Sequence, residues 1–140
     1  MAFTGNFSCN TLRVGLANGS INLTSDTFRL ALYTNDATLD QTTTAYTTTG
    51  EASGGNYAAG GQVVTTTVTS QTTASGSVTY VTFSAPAWTG AITARGALIY
   101  KAGANGAVCV LDFGNDKTST STFTVTMPAN TSTSALIRIV

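Results

Sequence analysis

The chain has no histidine, and only two cysteines, two prolines and one tryptophan among its 140 residues. Without histidine, a Ser-His-Asp triad, a Cys-His dyad and any His-ligated zinc or haem site are impossible. Cys9 and Cys109 stand far apart in the sequence and are too few for a Cys₄ zinc site or an iron–sulfur cluster. Charge is equally scarce. Charged residues make up 9% of the chain, against about 25% in an average soluble domain. Six Lys+Arg balance six Asp+Glu. Nucleic-acid binding depends on clustered Lys and Arg, so no nucleic-acid partner is expected. No apolar run approaches the roughly 18 residues of a membrane span, so no membrane is expected either. Residues 1–10 show neither a basic n-region nor an apolar h-region, so no signal peptide is expected.

What is abundant is threonine, with 29 residues, alongside 19 alanines, 14 glycines and 12 serines. Low charge and 42% apolar content argue against disorder. Threonine is β-branched and fits a pleated, half-exposed surface. The composition therefore points to one all-β domain over residues 1–140, with hydroxyls lining its wet face. Such a surface has few charges to repel a neighbouring copy, which permits close packing in an array.

Along the chain, Cys9, Leu12 and Leu16 form one short helical stripe, with Asn18-Gly19 as the stop. This helix lies within an N-terminal segment, residues 1–26. Phe28, Leu30 and Leu32 alternate with Arg29, Ala31 and Tyr33, which predicts a strand. Residues 37–61 are hydroxyl- and glycine-rich and predict a long loop excursion, with at most a short strand near Ala45-Tyr46. Residues 63–69 and 77–83 predict two strands, and Trp88 opens an extended run to Thr93. Residues 95–101 and 107–113 are apolar on both faces, which places them centrally; Asn105-Gly106 ends the turn between them. Residues 114–117 read as a loop, followed by strands at 123–127 and 135–140. The expected fold is a β-sandwich, jelly-roll-like or Ig-like, of about seven to eight short strands with one short N-terminal helix.

No constellation specifies catalysis. Asp26, Asp36, Asp40, Glu51, Asp112 and Asp116 could include an acid–base pair, but most adjoin turns, where a carboxylate caps backbone. Asp112, at a strand end, can pair with Arg95. The stretch from Asp112 to Asp116 has cation-binding residue types without the regular ligand spacing. Residues 50–61 lack the Gly-Lys-Ser/Thr ending of a phosphate loop. No catalytic residue, cofactor or metal is therefore expected. A nucleophilic cysteine needs a base, and with no secretion signal both thiols are expected to stay unpaired. The glycosylation-type tripeptides at Asn6, Asn18, Asn22 and Asn130 read as chance matches. Trp88 reads as core more readily than as a sugar-stacking surface.

Several segments together resemble small virion-associated proteins of tailed bacteriophages. They are Phe28-Arg29-Leu30-Ala31-Leu32-Tyr33-Thr34, Ala37-Thr38-Leu39, Thr43-Thr44-Ala45-Tyr46 and Tyr57-Ala58-Ala59-Gly60-Gly61. To these add Ala94-Arg95-Gly96-Ala97-Leu98-Ile99-Tyr100, Val110-Leu111-Asp112-Phe113-Gly114-Asn115-Asp116-Lys117 and the ending Ala135-Leu136-Ile137-Arg138-Ile139. The resemblance runs from about Cys9 to the C-terminus. It implies a non-enzymatic virion component made in many copies, assembled in the bacterial host cytoplasm. It does not say which part of the particle carries it.

The reading favoured at this level is a capsid decoration, or cement, protein that bridges neighbouring copies of the major capsid protein and is a homo-oligomer in the particle. The alternatives are a neck, tail or fibre component, or a host-glycan-binding module using Trp88, Tyr46 and Tyr57. Candidate interface residues are Tyr46, Glu51 and Tyr57 on the excursion and Ile139 and Val140 on the last strand. The excursion has few core-forming residues, so it is expected to be mobile alone and ordered against a neighbouring subunit.

Overall fold

The computed structural model describes residues 3–139. The apolar alternation at 28–33 forms strand β2 (Phe28–Tyr33), following a two-residue strand β1 (Phe7–Ser8). The two doubly apolar runs form the long hairpin of β7 (Ile92–Lys101) and β8 (Ala107–Ser119). The turn between them is closed by Asn105 in the left-handed region (φ 61°), a conformation asparagine tolerates better than most residues. With β3 (Gln62–Val64), these strands make an antiparallel five-stranded sheet of order β1-β8-β7-β2-β3. The strand with the longest buried run, β7, buried from Ala94 to Tyr100, lies at its centre, covered on both faces.

The helix α1 (Asn10–Asn18) carries the expected stripe and ends at Gly19 in the left-handed conformation, φ 81°. Gly15 sits inside it for a packing reason. A Cβ there would stand 2.6 Å from the Ile21 side chain, so the chain returning after the helix passes over bare backbone.

Two expected strands and one expected loop are drawn differently. The run at 63–69 is divided at Thr65: β3 pairs with β2, while β4 (Thr66–Thr73) pairs with β5 (Gly76–Phe83) in another sheet. Period-two alternation cannot mark this break, because both halves are extended. The run from Trp88 to Thr93 is divided at Gly90, which has φ 100°, leaving β6 (Ala87–Thr89) to pair with β9 (Thr122–Thr124). Residues 114–117, expected as a loop, continue β8. The ladder is irregular there: Gly96 pairs with Asp112 and Ala94 with Lys117, so residues 113–116 bulge out opposite Arg95 and pairing resumes from Lys117 to Ser119. Polar composition concealed this extension because residues 114–118 are all exposed, so no apolar alternation marks the strand. Among the described residues there are thus ten strands, including β10 (Ile137–Ile139), which pairs with β5. The expected strand near Ala45-Tyr46 is reduced to a single bridge between Ala45 and Gly106.

The architecture is an all-β, sandwich-like one. One face of the five-stranded sheet, with Phe28, Leu30, Leu32, Ile99 and Leu111, meets Val81 and Phe83 of β5, Trp88 of β6, Phe123 of β9 and Ile137 of β10. The three-stranded sheet, of order β10-β5-β4, and the two-stranded sheet β6-β9 thus form the second layer. A second cluster holds Phe3, Cys9, Tyr33, Leu98, Tyr100 and Val110, and it is covered by Ala37 and Leu39 of the excursion. No helix among the described residues is long and apolar enough to cross a membrane.

Cys9 and Cys109 are both buried and free, and they pack into different core clusters. Burial, with Asp40 nearby, raises the Cys9 thiol to about 11, and burial raises that of Cys109 as well. Both are protonated and unreactive near neutrality. Adding reductant should leave the urea unfolding midpoint unchanged. A large loss of stability on reduction would show a disulfide.

Candidate functional site

The densest group of polar side chains lies where the excursion meets β2 and β7. Glu51 is the sole charged residue between Asp40 and Arg95. Its carboxylate accepts hydrogen bonds from the Tyr46 hydroxyl (2.8 Å), the Tyr57 hydroxyl (2.6 Å) and the Gly60 amide (2.8 Å). The Tyr57 hydroxyl accepts in turn from the Leu32 amide (2.9 Å), tying the excursion to β2. The Tyr100 hydroxyl donates to the Gly60 carbonyl (2.7 Å), and the Arg29 guanidinium donates to the Gly61 carbonyl (2.7 Å). Tyr46 stacks on Tyr100 with ring centres 4.7 Å apart. Gly61, at φ 74°, lets the chain turn against β2, because a Cβ there would overlap the Leu30 carbonyl oxygen.

These contacts overturn the expectation that the excursion lacks partners in its own domain. Ala37 and Leu39 cap one face of the central sheet. Ala52 is buried on the opposite face, and its amide donates to the Leu32 carbonyl at 2.9 Å. The Tyr33 hydroxyl donates to the Thr47 carbonyl (2.6 Å), fastening the middle of the segment. Counting core-type residues missed this, because what fastens the segment is hydrogen bonding by tyrosine hydroxyls and one carboxylate. Tyr46, Glu51 and Tyr57, placed at a candidate interface by sequence, are half-buried and bonded to one another. Ile139 is 49% exposed on the edge strand β10. Val140 lies outside the described residues.

Chemically, the cluster is a brace. Burial and the hydrogen bond to Glu51 hold the Tyr57 phenol protonated far above its ordinary value near 10, and burial does the same for Tyr33. Burial, with Glu51 beside it, raises Tyr46 to about 12. A phenol whose folded value exceeds its unfolded one contributes stability that is full below pH about 10 and is lost as pH rises beyond it. The urea midpoint should therefore fall progressively above pH about 10, and Tyr57→Phe should make that fall shallower. An unchanged slope in the variant would contradict the burial of this hydroxyl.

The other candidates also have structural partners. Asp112 forms an ion pair with Arg95 beside the bulge of β8, and the Arg95 guanidinium lies over the Phe3 ring, 5.6 Å from its centre. In the stretch from Asp112 to Asp116, Asp112 is engaged by Arg95 and accepts from the Gly114 amide (2.8 Å), while Asp116 is exposed to solvent. Asp40 accepts from the Thr42 hydroxyl (2.5 Å) and amide (2.7 Å), and Asp26 from the Asn22 amide (2.7 Å), which holds both carboxyls below their ordinary range. Trp88 is 2% exposed, with the Tyr57 ring tilted against it at 5.4 Å. It offers no face on which a sugar ring could stack.

A surface feature was passed over in the sequence. Residues 52–94 contain no charged side chain. This stretch includes β3, at one edge of the five-stranded sheet, and β4, at one edge of the three-stranded sheet. Val63 on β3 is 55% exposed and Val68 on β4 is 38% exposed. A scan for the longest charge-free interval, rather than for motifs, would have found it. Comparison of the chain with protein-family models, with curated proteins and with solved structures gives no match.

Proposed function

We propose that the chain is a non-enzymatic structural component of a tailed-bacteriophage virion, and that it decorates the capsid by bridging neighbouring copies of the major capsid protein. One observation carries the reading. The polar side chains that could have formed a reactive site are bonded to one another, whereas the surface left open to a partner is an uncharged, hydroxyl-rich sheet edge with exposed valines. Such a surface suits binding between closely packed subunits better than turnover of a small substrate. The resemblance of the segments quoted above to small virion-associated phage proteins supports the viral part of the reading. The protein acts in the assembled particle, with other virion proteins or its own copies as partners, and uses no cofactor.

The experiment is rebinding to particles of the encoding phage that lack the protein. Saturable binding in a fixed ratio to the major capsid protein, located on the capsid by electron cryomicroscopy, is expected. Binding confined to the neck or tail would move the chain to that part of the virion. Absence from purified particles would overturn the reading.

A further inference from the structure

We propose that β4 is a self-association edge: two copies pair antiparallel along Thr66–Thr73 about a two-fold axis, joining their three-stranded sheets into one of six strands. The proposal rests on the sheet edge and stands apart from the virion reading. Strand β4 borders its sheet, pairs with β5 over all eight residues without a register shift, and has one side unpaired. Among the described residues, no backbone hydrogen bond outside the β4–β5 ladder engages residues 66–73. An edge strand of this length is a template for a further strand, and proteins normally blunt such edges with lysine, proline, a bulge or very short length. Here β4 has no charge, no proline and no bulge. The other edge of the same sheet, β10, is three residues long and carries the exposed Arg138.

The occupant that fits is a second copy of β4. A two-fold axis perpendicular to the sheet sets a residue near the middle of the strand opposite its own counterpart. For a charged strand this would oppose like charges. The sequence Thr-Thr-Val-Thr-Ser-Gln-Thr-Thr opposes none: with Ser70 on its own counterpart, Thr67 meets Thr73, Val68 meets Thr72 and Thr69 meets Gln71. A hydroxyl ladder already exists inside the domain, where Ser70 meets Thr79 at 2.8 Å and Thr72 meets Ser77 at 3.1 Å. A second β4 extends that ladder by one strand. A charged partner strand would meet no counter-charge on β4. Eight paired residues alone bury less than the roughly 1,200–2,000 Å² of a stable interface, so the isolated dimer is weak and forms at high local concentration.

Sedimentation equilibrium over a wide concentration range tests this, with two edge variants whose sites are exposed and share a face: S70K/T72K and S70E/T72E. Wild type should show a monomer–dimer equilibrium. Each variant, with unchanged circular dichroism, should dimerise at least about tenfold more weakly, through like charges opposed across the edge. An equimolar mixture of the two should restore the dimer, because lysine then faces glutamate. A wild type that stays monomeric at the highest soluble concentration, variants that dimerise as wild type does, or a mixture that stays monomeric would each overturn the proposal.

Discussion

Trp88→Ala should lower the unfolding free energy by about 3–5 kcal/mol, the range for removing a buried aromatic from a packed core. Trp88 is fully enclosed where β6 and β9 close over the five-stranded sheet, and it faces Phe123 across the pair and Tyr57 of the excursion. Truncation leaves a cavity that neither a two-stranded sheet nor a hydrogen-bonded tyrosine can collapse to fill. Stability of an ordinary domain is only about 5–15 kcal/mol, so a large share of it would be lost. The measurement is urea unfolding followed by circular dichroism, since the variant has no indole left to report. In the wild type, the single tryptophan should emit at short wavelength and resist aqueous quenchers. A loss under about 1 kcal/mol, the scale of a surface substitution, would mean that the indole is exposed, and would bring back the sugar-stacking alternative.

Glu51→Ala should cost about 2–4 kcal/mol, and by a different mechanism. Three donors, the hydroxyls of Tyr46 and Tyr57 and the Gly60 amide, lose one shared acceptor. Hydrogen bonds to a charged group contribute roughly 1.5–3 kcal/mol each, and their losses overlap because the donors share an acceptor and lie partly exposed to water. Glu51→Gln should cost less, because the amide oxygen can still accept from Tyr57 and Gly60 while its NH₂ faces the Tyr46 hydroxyl, which can turn to accept. The loss should be felt locally before it is felt globally: residues 51–61 of the alanine variant should be cut by protease faster than those of the wild type. A surface-like effect below about 0.5 kcal/mol would remove the brace from the account.

Much of the central sheet was legible in the sequence. The alternation of Phe28, Leu30 and Leu32 marked β2, the doubly apolar runs marked β7 and β8 as central, and Asn105 marked their turn. These signals are local, arising from pleat and from turn conformation. Gly19 ended the helix for the same local reason. What was illegible is non-local. The division at Thr65 depends on which strand each half can reach, not on any change in the residue pattern. The fastening of the excursion depends on a carboxylate meeting two phenols and an amide up to nine positions away, and on a hydroxyl bonded to the Leu32 amide. Such contacts leave no periodicity. The candidate interface shifts accordingly. Tyr46, Glu51 and Tyr57 have partners within the domain, while the exposed edge of β4 held no residue type that a search for sites would select.

Amide hydrogen exchange, compared between the free protein and the assembled particle, tests most directly whether the excursion is internal and the uncharged edge is the contact. In the free protein, the amides of Ala52, Tyr57, Gly60 and Gly61, each bonded within the domain, should already be protected, and the outward-facing amides of residues 66–73 should exchange fast. On assembly, protection should rise along residues 66–73 and stay unchanged across 51–61. Fast exchange at 51–61 in the free protein with protection gained there in the particle, and none gained along β4, would contradict the account.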